Sequence, residues 1–116
     1  MTNLLAQIQP ALQLTAQELA QLQGILREQL ASATSDGAVQ AWAFGSRATG
    51  SARPYSDLDI LVTQPSTLSW RHRADLADAL EQSHLPFHVD VVDAQSLHAS
   101  MRERVWAERT LLFQIP

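Results

Sequence analysis

The stretch GSRATGSARPYSDLDILV, from Gly45 to Val62, constrains this chain more than any other. Side chains alternate along a strand, so Asp57 and Asp59 share one face while Leu58, Ile60 and Val62 share the other. A strand built this way turns its aliphatic face to a core and its acidic face to an open site. The apolar run VQAWAF, Val39 to Phe44, precedes it as another strand, and a small-residue turn at Gly45 and Ser46 leads from there into a short helix at Arg47. Farther on, FHVDVVD is expected to form a third strand opened by Pro86, in which Val89 and Val91 turn away from Asp90. A third carboxylate is thereby brought to the acidic face.

Acidic groups converging on one site repel each other, and burying them unpaired is costly, so such a cluster calls for cations. Magnesium is the natural one. It takes hard oxygen ligands, favours one or two carboxylates plus substrate phosphates, and two such ions about 3.5–4 Å apart clamp the attacking and leaving oxygens of a phosphoryl transfer. Asp59 is the candidate bridging ligand between two ions. Backbone N–H groups at the Gly45–Ser46 turn, with the Ser46 hydroxyl, suit a phosphate. Turn, paired carboxylates and a later strand aspartate together point to nucleotidyl transfer.

In these motifs the chain resembles the minimal nucleotidyltransferases of the DNA polymerase beta superfamily, whose signature is a Gly-Ser turn, an Asp-x-Asp strand and a third Asp on a later strand. The match is dense from Val39 to Asp93 and looser elsewhere. The resemblance implies an α+β fold, a mixed sheet flanked by helices in a single domain. It also implies that Gly45, Ser46 and Arg47 bind the nucleotide, and that Asp57, Asp59 and Asp90 serve as both metal ligands and catalytic residues. Mg2+ and ATP are the implied cofactors, ATP being the donor. Many small members begin the motif as G-S-R-A, as here, and enter the acidic strand through Ser-Asp, as Ser56 and Asp57 do. Tyr55 stands where a small polar or acidic residue is commoner, which makes the mouth of the site unusual. Small stand-alone members are typically antitoxins paired with a HEPN-type ribonuclease, and can adenylylate a tyrosine of that toxin. The implied partner is a small helical HEPN-type toxin, with homo- or hetero-oligomers to be expected. Two alternatives are a catalytically inert module that masks its toxin and an enzyme acting on a small-molecule hydroxyl such as an antibiotic's. The intact carboxylate set argues against the first and the short length against the second.

The length of 116 residues accommodates one domain, expected over 15–116 behind an N-terminal segment 1–14, and the 46% hydrophobic content is enough for a modest core. Eight Lys plus Arg against 12 Asp plus Glu leave a net charge of −4, which offers no global positive field to a polynucleotide. Nucleic acid is therefore not expected as a direct partner. With no cysteine, no apolar run long enough to span a bilayer and no signal-peptide pattern, the expectation is a cytoplasmic protein that does not engage a membrane.

Thr15 followed by Glu18 reads as a capping box, and Leu19, Leu22, Ile25, Leu26 and Leu30 recur at helical spacing to about Ala33. The segment around Pro10 reads as a short turn or helix. Pro65 ends the acidic strand, and Ser66 or Thr67 is expected to cap a helix reaching about Ser83, with Ala74, Ala77 and Leu80 toward the sheet. SLHASMRERVWAER reads as a helix carrying Leu97, Met101 and Val105, and TLLFQI as a closing strand or an interaction segment. Ser46 could also cap the helix behind it, and Arg47 divides evenly between a phosphate contact and pairing with surface acids. Arg53 reads as solvated. His88 shares the Asp90 face and reads as a hydrogen-bonded strand histidine more readily than as a general base. His72, His84 and His98 read as surface residues, Arg71, Arg73, Arg102 and Arg104 as solvated helix faces, Trp42 as core, and Trp70 and Trp106 as core more readily than as exposed interface aromatics.

Overall fold

Hydrophobic spacing and caps set the elements of the computed structural model, which describes residues 12–50 and 56–116. The expectations for the segment around Pro10, for Arg53 and for Tyr55 lie outside the described residues. Helix α1 (Ala16–Leu30) begins at the capping box: Glu18 N–H donates to Thr15 Oγ1 and Thr15 N–H to Glu18 Oε1, both at 3.0 Å. Leu19, Leu22, Leu26 and Leu30 form its buried stripe, and a 3-10 turn, Ala31–Ala33, follows. Strand β1 (Val39–Phe44) leads into the single-turn helix α2 (Ser46–Thr49), strand β2 (Leu58–Gln64), helix α3 (Trp70–Glu81), strand β3 (Val89–Asp93), helix α4 (Ala99–Glu108) and strand β4 (Thr110–Ile115).

The four strands form one mixed sheet in the order β3-β2-β1-β4, with β1 antiparallel to both its neighbours and β2 parallel to β3. The odd-numbered apolar residues of β1 and the even-numbered ones of β2, among them Ala41, Ala43, Leu58, Ile60 and Val62, join the buried leucines of α1 and α3 in the main core. The opposite face carries a smaller cluster in which Leu61 packs with Leu97 and Val105 under α4, beside Trp42, Phe44, Val92 and Met101. This is the polymerase beta-type α+β arrangement that the sequence motifs imply. The packed unit begins ahead of Thr15, because Leu12 and Leu14 are buried in the main core. Among the described residues no helix is long and apolar enough to cross a membrane.

Several boundaries differ from the sequence expectation. Helix α3 is capped by Ser69, whose Oγ accepts from His72 N–H, so the helix starts later than a Ser66 or Thr67 cap would start it. Its buried face is correspondingly Leu76 and Leu80, while Ala74 and Ala77 face outward. Strand β3 begins at Val89 rather than Pro86. Trp70 is 78% exposed and Trp106 42% exposed, so neither is core, whereas Trp42 is half-buried with its Nε1–H donating to Thr63 Oγ1. The Arg109 guanidinium lies 4.6 Å from the Trp42 ring centre and 4.9 Å from that of Trp106, which ties the end of α4 to the sheet.

Asp93, at the end of β3, is the buried polar fastening of the fold. Its side chain accepts from Leu68 N–H at 2.7 Å, Ser96 N–H at 2.8 Å and Arg73 Nη2 at 2.9 Å, joining the approach to α3 to the end of β3. Burial alone would push this carboxyl up, but the bonds from Leu68 and Ser96 and the charge of Arg73 outweigh it and hold the group below its ordinary range. The stabilisation is therefore present above the ordinary carboxylate pKa and is lost as pH falls through the depressed folded value. Replacing Asp93 with Ala strands a buried amide and is expected to lower stability by about 2–4 kcal/mol in urea unfolding at neutral pH. The difference between wild type and variant should shrink progressively in acid.

Candidate active site

The acidic residues gather at one end of the sheet because of strand register. In the parallel β2–β3 pair Asp59 stands directly beside Asp90, and across β2–β1 Asp59 faces Phe44, the last residue before the turn. Asp57 lies two residues ahead of Asp59 and is exposed, Asp59 is half-buried, and Asp90 is exposed. Asp59 and Asp90 thus come to the face opposite the main core, as the alternation in the sequence requires, with Asp57 just ahead of β2.

Gly45 closes the site from the side of β1. Its backbone at φ 77°, ψ −152° occupies a region open essentially to glycine alone. A Cβ on it would stand 2.6 Å from Asp59 Oδ2, so glycine is required both by conformation and by the carboxylate lying against it. Ser46 is the first residue of α2 rather than its cap, the cap position belonging to Gly45. Its carbonyl accepts from Gly50 N–H and Thr49 Oγ1, which closes the single helical turn.

Arg47 departs from both roles open to it in the sequence. It is completely buried, with Nε donating to the Ser56 carbonyl at 3.0 Å and Nη1 to the carbonyls of Leu12 at 2.9 Å and Gln13 at 3.2 Å. Its guanidinium also lies 4.2 Å from the centre of the Phe87 ring. These contacts fasten the turn, the approach to β2 and the residues ahead of α1 to one another, and burial pushes the guanidinium down from its ordinary value. The expectation that Arg47 meets solvent, as a phosphate or surface-acid contact, is corrected accordingly.

The carboxylates sense one another. Burial raises the Asp59 carboxyl above its ordinary value, and the charges of Asp90 and Asp57 raise it further, with His88 partly opposing. His88 Nε2 donates to Asp90 Oδ1 at 2.8 Å, the hydrogen-bonded histidine expected from sequence. That bond, and then the carboxylate's charge, lift the imidazole above its ordinary value, with smaller contributions from Asp57 and Glu81. A cleft of about 430 Å3 opens from Gly45 and Asp59 toward α4, floored by Phe44, Val92 and Leu97, with Met101 and Arg104 on its helical wall.

Three carboxylates are the hard donors that Mg2+ takes, and Gly45 keeps Asp59 Oδ2 uncovered by any side chain on that side. By donor type the residues fit the ion. They do not form a complete cage: among the described residues no group of three or more His, Asp or Glu side chains is arranged to hold a metal by itself, and Asp90 is engaged with His88. The arrangement is an open one. That suits Mg2+, which is bound through one or two carboxylates with substrate phosphates completing the shell.

Two changes test this geometry. Gly45→Ala is expected to lose about 1–3 kcal/mol of stability from the disfavoured backbone region alone, and to displace the Asp59 carboxylate. Asp59→Asn acts in the opposite direction. Because the folded carboxyl is raised, its ionisation costs stability as pH climbs, so the variant should melt about 1–3 °C above wild type at neutral pH, a few tenths of a kcal/mol in a domain of this size. The gain should vanish in acid, where both proteins are neutral at this position.

Residues 28–115 match the protein family described as Polymerase beta, Nucleotidyltransferase. The chain is also 35% identical over 92 residues to a probable protein adenylyltransferase, MntA, of Haemophilus influenzae, an alignment covering 79% of this chain and 75% of that protein. With the Gly-Ser turn and the aspartates of β2 and β3 held at one end of a mixed sheet, the chain belongs to the polymerase beta-type nucleotidyltransferase family.

Proposed function

We propose that this protein transfers AMP from ATP to a hydroxyl of a partner protein, a tyrosine of a HEPN-type toxin that it thereby neutralises in the cytoplasm. The observation carrying this reading is the in-register placement of Asp59 beside Asp90, with Gly45 against Asp59. The name of the relative, a probable protein adenylyltransferase, supports ATP as donor and a protein as acceptor. The resemblance noted from sequence supplies the toxin.

Asp57 and Asp59 would hold Mg2+ on the donor side, and Asp90 would join Asp59 on the acceptor side. Bound there, the ion would supply Lewis-acid stabilisation of charge on the phosphoryl oxygens. The Gly45–Ser46 turn receives the triphosphate. Asp90 orients the acceptor hydroxyl and takes its proton as the oxygen bonds to the α-phosphorus; the bond from that phosphorus to the β-phosphate oxygen breaks, and pyrophosphate leaves. His88, donating to Asp90, keeps that carboxylate's second oxygen available. Positioning and charge neutralisation do most of this chemistry. A protein with a net charge of −4 recognises the acceptor across a protein interface, where the exposed Trp70 and Trp106 are available.

Mixed with its partner, ATP and Mg2+, the protein is expected to add one or a few adenylyl groups, read by intact-mass spectrometry. Asp57→Ala with Asp59→Ala should abolish the mass shift while leaving the complex intact. Asp90→Asn should retain nucleotide binding but slow transfer by about 10²–10⁴-fold, the usual scale of a lost acid–base group. Neutralisation of the partner with no mass shift would support the masking module instead.

A further inference from the structure

The cleft beside Asp59 has a polarity that the transfer reaction itself does not explain. One end opens on Gly45 and Asp59, its floor is made by the apolar faces of Phe44 and Val92, and its far wall is α4 with Met101 and the exposed Arg104. Besides Asp59 the lining holds polar groups in Ser96, His98 and Arg104, but Phe44, Val92, Leu97 and Met101 leave most of it apolar, whereas a triphosphate and its cation need charge and hydrogen bonds. A largely apolar lining with a few polar groups suits a flat, weakly polar group attached to the phosphates, and about 430 Å3 falls in the usual range for ligand pockets.

We infer that this cleft seats the nucleobase of the donor, with Met101 and Arg104 of α4 as its determinants. The inference rests on the nucleotide-donor reading above. Phe44 and Val92 provide the floor, the Met101 thioether packs against the ring, and the Arg104 guanidinium lies over its π-face. An aromatic acceptor side chain is the competing occupant, and topology disfavours it. The cleft is lined by Asp59 and Gly45, whereas the acceptor-side groups, Asp90 on β3 and His88 just ahead of it, lie at the open edge of the sheet and are not among the residues lining it. An acceptor reaching Asp90 has that edge to approach from. Arg104 thus gains a role beyond the solvated helix face expected from sequence.

Isothermal titration in Mg2+ with ATP and with inorganic tripolyphosphate separates base from phosphate recognition. Wild type should bind ATP more tightly than tripolyphosphate. Arg104→Ala and Met101→Ala should each weaken ATP about tenfold and leave tripolyphosphate unchanged. Arg104 is exposed, so its variant is expected to fold normally, and melting curves check Met101→Ala, which borders the smaller core. Unchanged ATP affinity in Arg104→Ala, or equal losses for both ligands, would overturn the base seat. In that case, ATP binding that still depends on Asp57 and Asp59 leaves the donor reading standing. If wild type binds neither ligand, both readings fall together.

Discussion

Parallel pairing of β2 with β3 in a single register is the constraint on which the rest of this molecule depends. That register sets Asp59 beside Asp90 on one face and, through the same alternation, sends Leu58, Ile60, Val89 and Val91 into the main core on the other. A slip of one residue would invert both faces at once, burying the carboxylates and exposing the aliphatic side chains. Core packing therefore specifies the active site as strongly as the acidic residues themselves do. Burial first, and then the charges of Asp90 and Asp57, raise the Asp59 carboxyl, a cost that a divalent cation with phosphates would relieve.

Fastenings away from the site keep this register useful. Arg47, buried under the turn, bonds to the carbonyls of Leu12, Gln13 and Ser56, so the Gly45 turn cannot move without disturbing the entry to β2 and the residues before α1. Asp93 does the same at the other end of β3, through Leu68, Arg73 and Ser96. Between these two polar anchors the acidic face stays open toward α4 on one side and the β3 edge on the other. One face of the sheet can in this way receive donor and acceptor from different directions.

The parts legible in the sequence were those specified locally. Strand β1 spans Val39–Phe44 as its apolar run indicates, and α1 starts at the Thr15–Glu18 capping box, because both signals involve neighbours in the chain. The acidic motif was equally plain, since alternation alone assigns faces. Helix α3 was misplaced where several Ser and Thr residues compete as caps. Ser69 prevails with Leu76 and Leu80 in phase to reach the core, and Ala74 and Ala77 are left outside. The inward turn of Arg47 depends on carbonyls 34 and 35 residues away in sequence, and Asp93 on a helix entry 25 residues back, contacts that no local pattern encodes. An aspartate ending a valine strand one turn before a Ser is a faint signal for the second. The open, cage-free carboxylate arrangement was hidden for the same reason, since the Asp90–His88 bond fixes a side-chain direction rather than a position in the chain.

The central claim is that a metal–nucleotide complex sits on the acidic face between Gly45 and Asp90. Paramagnetic broadening of backbone amide NMR signals by Mn2+ with ATP tests it most directly. The expected result is selective loss of the Gly45, Ser46, Asp59 and Asp90 amides, with those of Leu76 and Leu80 behind the sheet unaffected. Broadening confined to other parts of the surface, or none at saturating Mn2+ and ATP, would contradict the account.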